Sequence, residues 1–220
     1  FKKIGVAELP DETIGSYYAF VHSLYQNVCY ELVPIGKRVQ LHKRVGEEAE
    51  VAYAARSPEI AAELATHFER GRDYIRAAIH LFRAAENATR RHAYREALEY
   101  LNRARRLIRS LPETQRVDLQ VTVLEFLGLT FRSMGNIAKA AELFDEMITS
   151  AGEYGRAEAV VNGLLYKASA LSWLDRDQCL KTSDEAFKLS RNLSRELLRV
   201  HTEGYCAYWH LLFIGWRSED

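Results

Sequence analysis

The stretch Leu124-Glu125-Phe126-Leu127-Gly128-Leu129-Thr130-Phe131, then Gly135-Asn136, then Ala140-Ala141-Glu142-Leu143-Phe144-Asp145-Glu146-Met147, decides the fold. Its apolar residues return every three or four positions, which is helical spacing. Gly135 separates two such segments and permits a tight turn between them. Small residues stand at Gly128 and Ala140, large ones at Phe131 and Phe144. This distribution predicts two antiparallel helices that come closest at Gly128 and Ala140, with the phenylalanines filling the space on either side. A larger side chain at either small position would push the helices apart or force strained rotamers.

The same grammar recurs along the chain. Leu64-Ala65-x2-Phe68, Gly71 and Ala77-x3-Leu81-x2-Ala84 form a second copy. Ala84-Ala85-x2-Ala88 with Ala97-x3-Leu101-x2-Ala104 forms a third, so the helix over 74–91 serves two pairs. A weaker copy joins Leu164-x3-Ala168-x2-Leu171 to Cys179-x3-Ser183-x2-Ala186; its turn is one residue short, with Asp175 in place of glycine. The pattern resembles the tetratricopeptide repeat, W-x2-L-G-x2-Y…A-x3-F. The expected fold class is therefore all-α, a tetratricopeptide-like superhelical stack of antiparallel helix pairs. Residues 205–216 read as the first helix of a further pair, so the array is expected to be truncated at its C-terminal end, because repeat arrays need caps.

Working outward, the alternation around Leu9-Pro10-Asp11-Glu12-Thr13 predicts a short N-terminal β-hairpin over 4–8 and 16–21. A short helix then ends before Pro34, and a second is marked by Val39, Leu41, Val45 and Ala49. Ser57-Pro58 reads as an N-cap with proline at the first helical position. Helices are expected over 59–70 (stopped by Gly71), 74–91, 94–109, 117–134, 137–151, 157–174, 178–191 and 195–216. Two domains follow: 1–55, connecting elements, and 56–220, the repeat array.

Composition and motifs narrow the chemistry. The chain has 220 residues, 48% hydrophobic and 27% charged, which fits a globular chain. Lys+Arg and Asp+Glu are 30 each, so no global charge drives binding to nucleic acid or acidic lipid. Three separated cysteines argue against a disulfide framework and for a reducing cytoplasm. The longest apolar-looking run, 205–216, carries His210 and falls short of the about 20 residues a bilayer needs. Gly36-Lys37-Arg38 lacks the first glycine and the hydroxyl of a phosphate-cradling loop. No dinucleotide-binding glycine motif and no zinc- or calcium-binding motif occurs. His22 and His42 read as structural histidines, and Cys179 and Cys206 as small packing residues. Adjacent carboxylates such as Asp145-Glu146 do not share a helix face. No catalytic, cofactor-binding or metal-binding residue is assigned, and no cofactor is expected.

Partner binding is the remaining class. Residues 1–110 carry 18 basic and 14 acidic groups, and residues 111–220 carry 12 and 16. Residues 70–109 hold eleven arginines, no lysine and four acids. Glu99 and Arg103 have the spacing of a local helix pair. Arg91 and Arg106 have no acid at such spacing, and the acid four residues after Arg95 is Glu99, already assigned to Arg103. This belt is either a solvated, salt-bridged face or a docking surface for an acidic partner. The alternative reading is a helical-repeat module that contacts nucleic acid through 70–109; binding is nevertheless not expected, because no interleaved aromatics offer base stacking. Trp173, Trp209 and Trp216 fall on the first helices of late repeats; core packing is the commoner fate of aromatics, but anchors for a peptide sit there too. The candidate partner-binding residues are Arg91, Arg95, Arg106, Trp173 and Trp209.

Tyr18-Ala19-Phe20-Val21-His22-Ser23-Leu24-Tyr25-Gln26 and Gly36-Lys37-Arg38-x2-Leu41-His42-Lys43-Arg44-x-Gly46-Glu47 resemble a joint in bacterial signal-transduction ATPases of the MalT-like, STAND type. The likeness extends through Ala61–Phe68 and Arg83–Ala88, covering roughly 16–110, with Ser23 in place of the usual alanine. It implies that the hairpin is the remnant of a winged helix, lying between an upstream ATPase domain and a sensor array. Such an array is a non-catalytic module that receives a protein, a peptide or a small-molecule inducer and contacts the ATPase domain. The family is fused to transcriptional regulator or nucleotide cyclase domains and is cytoplasmic. Its nucleotide-binding residues have no counterpart in this chain.

Overall fold

The computed structural model describes residues 2–194 and 196–213. The chain folds as two units, Phe1–Leu111 and Pro112–Asp220.

The first unit opens with β1 (Lys2–Glu8) and β2 (Ile14–Ala19), an antiparallel hairpin that sets Val6 opposite Ser16 and Glu8 opposite Ile14. The Asp11 carboxylate accepts from the Thr13 backbone N–H at 3.1 Å and its hydroxyl at 2.6 Å, which closes the turn. The hairpin thus forms where expected, but β2 starts two residues earlier than 16 and ends before Val21. In α1 (Ser23–Leu32) no residue is buried, and Nδ1 of His22 caps the first turn by accepting from the Leu24 N–H at 3.1 Å. α2 (Ile35–Tyr53) follows Pro34 and buries Gly46 and Ala52.

Ser57-Pro58 does not open an α-helix. The chain winds as a 3-10 segment over Ala54–Ile60 with Pro58 inside it, and α3 (Ala61–Arg70) starts only afterwards. Ser57 is buried, and the Pro58 carbonyl accepts from Nδ2 of Asn87 at 2.6 Å. That tertiary bond outweighs the local capping signal. α4 (Tyr74–Arg90) then packs on both α3 and α5 (Tyr94–Ile108), as its double repeat pattern predicts. Ala77, Ala78, Leu81, Ala84, Ala85 and Ala88 line its buried faces. Rows of alanine let the backbones approach closely on two sides.

Gly71 ends α3, but not by a left-handed conformation: its φ is −77°. It is glycine because a Cβ there would stand 2.9 Å from the Lys43 backbone nitrogen of α2. The left-handed residue is Arg72, with φ 58°, and His92 has φ 58° in the next turn.

The second unit stacks α6 (Glu113–Ser133), α7 (Ile137–Glu153), α8 (Ala157–Leu171), α9 (Arg176–Ser190) and α10 (Glu196–Phe213). Each packs on the next, and α6 also meets α8 as α8 meets α10. α6 begins at Glu113, four residues before the expected start, with Pro112 at the cap. Gly128 faces the Phe144 ring rather than Ala140: a Cβ there would lie 2.4 Å from Cε1 of Phe144. Gly135 holds the turn with φ 79°. Asp175 is the N-cap of α9, accepting from the Gln178 N–H at 3.0 Å. It therefore matches Asn136, which caps α7 through the Lys139 N–H at 3.2 Å, and not Gly135. α8 ends three residues earlier than expected, at Leu171. Arg195 and Trp216 lie outside the described residues.

Candidate interaction surface

α5 buries Ala97, Leu101, Ala104 and Ile108 along one stripe. The opposite stripe is Arg95, Glu99, Asn102, Arg106 and Arg109, all exposed. Steps of four, three, four and three keep these residues on one helix face, over about 21 Å of helix. Among the described residues, Arg95, Arg106 and Arg109 have no acidic partner. Leu98, Glu99, Tyr100, Asn102, Arg103 and Arg106 border an open hollow of about 450 Å³ beside the stripe.

Other arginines of the belt are engaged within the unit, and one expectation, the Glu99–Arg103 pair, needs correcting. Arg91 does have an acidic partner: its Nη2 stands 3.4 Å from Oε2 of Glu96, across the turn that His92 makes possible. Five residues apart, the two meet only because the chain reverses between them. Arg103 does not pair with Glu99; its Nε donates to Glu69 on α3. Arg76 lies 3.4 Å from Glu47, 3.7 Å from Glu50 and 3.4 Å from Asp73. The belt thus divides into arginines that tie helices together and arginines that face outward.

In the second unit the two tryptophans part company. Trp173 is 81% exposed in the turn after α8, beside the exposed Leu174. Trp209 is 8% exposed and sits in a core with Ala168 and Cys179. It stacks on Phe213 at 5.4 Å and meets Tyr205 edge-on at 5.6 Å. Two polar bridges join α6 to α8: the Tyr166 hydroxyl donates to Glu125 at 2.9 Å, and Nη1 of Arg132 donates to the Ser169 hydroxyl at 3.2 Å. Burial, with the Glu125 carboxylate beside it, pushes the Tyr166 phenol up to about 12. No local spacing signals these bridges, whose partners lie 41 and 37 residues apart. An open, largely apolar hollow of about 340 Å³ lies among Gly152, Val160, Leu189 and Leu193.

Burial first, and Cys206 beside it, push the Cys179 thiol up to about 11, which keeps it protonated and a poor nucleophile. Among the described residues no three His, Cys, Asp or Glu side chains gather to hold a metal ion. No described helix is long and apolar enough to cross a membrane.

No family model matches the chain, and no curated protein is a significant match. Solved structures do match. BtubC (BKLC) from P. vanneervenii aligns with a TM-score of 0.53 at 16% identity, covering 81% of this chain and 66% of that one. The chain thus spans just under two thirds of BtubC. A putative kinesin light chain from Podosopora anserina, with nearly identical tetratricopeptide-like repeats, aligns with a TM-score of 0.58 at 14% identity, covering 84% and 89%. A substituted form of the same protein aligns at 0.59 and 14%, covering 84% and 88%. The shared feature is the fold, a stack of tetratricopeptide-like helix pairs.

Proposed function

We propose that this chain is a non-catalytic protein-interaction module, the sensor array of a cytoplasmic, multidomain signal-transduction ATPase or transcriptional regulator in bacteria. The fold supports the general part, since helix-pair stacks offer extended surfaces for partners. The resemblance over 16–110 supports the context, including contact with an upstream ATPase domain. The observation that carries the reading is the row Arg95, Arg106 and Arg109, outward on α5 and its C-cap and without an acidic partner among the described residues. It fits a partner that presents carboxylates along an extended or helical segment. Trp173, with Leu174, supplies an apolar contact on the second unit. A small-molecule inducer is the other ligand class, and the hollow at Val160 and Leu193 has the lining for one.

The test is fluorescence anisotropy with a labelled Asp/Glu-rich peptide. Binding should be lost in the combined Arg95→Gln, Arg106→Gln, Arg109→Gln variant while its melting temperature stays put. Equal binding by the variant would sink the assignment. The second reading, nucleic acid on the same stripe, is favoured by charge alone; no aromatic lies on that stripe for stacking. Labelled duplex and single-stranded DNA should not bind at physiological salt. Tight, salt-sensitive binding abolished by the triple substitution would promote this reading instead.

A further inference from the structure

The joint between α2 and α3 brings two imidazoles together. Nδ1 of His42 on α2 lies 3.2 Å from Nδ1 of His67 on α3. Their ring centroids are 5.2 Å apart, with planes at 51°. On the far side of the His42 ring, Nε2 lies 3.0 Å from the Tyr30 hydroxyl of α1. The approach depends on Gly46, one turn after His42, where a Cβ would meet the Phe68 ring at 3.1 Å and Cβ of His67 at 3.4 Å. Both histidines are half-buried.

Two imidazoles that meet through the same nitrogen have two ways to satisfy it. In one, a single proton bridges the two Nδ1 atoms, so the rings must be different tautomers. In the other, both lone pairs point to a shared cation. A tetrahedral ion with metal–nitrogen bonds of 2.0–2.1 Å holds its ligand nitrogens about 3.3 Å apart, close to the separation found. The rings also sit closer than a straight N–H···N bond of that length would set them.

We propose that His42 and His67 form a two-nitrogen chelate for a borderline divalent transition ion, zinc or copper(II), with water in the remaining positions. Both rings are then Nε2–H tautomers, and His42 donates that proton to the Tyr30 hydroxyl. Such outer hydrogen bonds fix the orientation of metal-ligating histidines. Glu63, one helical turn before His67, adds a negative charge on that side that offsets Arg70. Burial first holds both imidazoles below their ordinary value, with the His67 charge and then Arg70 adding to it at His42 and Arg70 adding to it at His67. With two protein ligands the ion is held less tightly than in four-ligand structural sites. The bound ion would tie α1, α2 and α3 together. The inference stands apart from the arginine stripe and its partner.

The experiment is calorimetric titration of zinc chloride, and separately copper(II) chloride, into the whole chain. The wild type and a His92→Gln control should bind one ion per chain with the same affinity. His42→Gln and His67→Gln should each lose at least tenfold, and Tyr30→Phe about tenfold with unchanged stoichiometry. Circular dichroism in chelator checks that each variant is folded. Should the substitutions unfold the chain, long-range proton–nitrogen NMR of the wild type decides. Zinc must shift the Nδ1 resonances of two histidines together. Unshifted Nδ1 resonances, or equal binding by folded single variants and wild type, would overturn the chelate and leave a proton-sharing pair.

Discussion

At Gly128 the absent side chain is what lets Phe144 lie against α6. Gly128→Leu must displace that ring, and Ala140→Leu must crowd a fully buried position. Each should cost about 1–3 kcal/mol in urea unfolding; an unchanged midpoint would place these residues elsewhere than in the contact. The turns give the opposite sign. Arg72 bears a left-handed backbone that costs L-residues about 1–2 kcal/mol, partly offset in glycine by the freer unfolded chain. Arg72→Gly should therefore gain about 0.5 kcal/mol, read by thermal melting. The turn position at Gly135 was legible because glycine marks it. Arg72 and His92 were not, because an arginine and a histidine carry no such mark. Their distance from the small residue of the preceding helix would have found them: Ala65, Ala85 and Gly128 each stand seven residues before the left-handed position. Buried His80 sets a pH dependence. Burial lowers its pKa from 6.5, Arg83 and Arg76 act the same way, and the Glu50 bond at 2.9 Å opposes them. The unfolded chain therefore takes up the proton first, and stability falls as pH drops below about 6.5. Urea unfolding at about pH 7.5 and pH 5.5 should show a smaller loss for His80→Gln than for wild type.

Among the elements, helix centres were legible, as were the starts at Tyr74, Tyr94, Ile137 and Ala157, while several other ends were not. Centres follow the 3.6-residue period, which tertiary packing only reinforces. Ends follow local bonds that compete. Pro112 started α6 early, and the bond from Asn87 to Pro58 drew Ser57-Pro58 into a 3-10 segment. Asp175 does not replace the turn glycine, because its carboxylate is the cap of α9. Asp175→Ala should accordingly cost about 1 kcal/mol, checked by chemical denaturation, with Asp175→Asn nearly neutral. The arginine belt fails to declare its partners for a related reason. Glu69 and Arg103 are 34 residues apart and leave no trace at helical spacing. A double-mutant cycle should find coupling between Glu69 and Arg103, below about 1 kcal/mol because each is about a third exposed, and none between Glu99 and Arg103.

Across the whole molecule burial is uneven. α1 buries nothing, and Ile4, Val6, Ile14 and Val21 also stand exposed, while α4 and α8 have partners on two sides. Two-stranded hairpins are at best marginal in water. Hydrogen exchange should find the amides of the hairpin and α1 fastest, and those of α4 and α8 among the slowest. Equal protection throughout would mean the first thirty residues are held by something other than the contacts described. The neighbour-on-neighbour packing of the helices also says something about time. A full pair such as α4 with α5 is complete within Tyr74–Ile108, so no contact within it waits for a distant part of the chain. Topologies dominated by nearby contacts fold fastest, and a chain leaving the ribosome could assemble one pair while the next is still being synthesised.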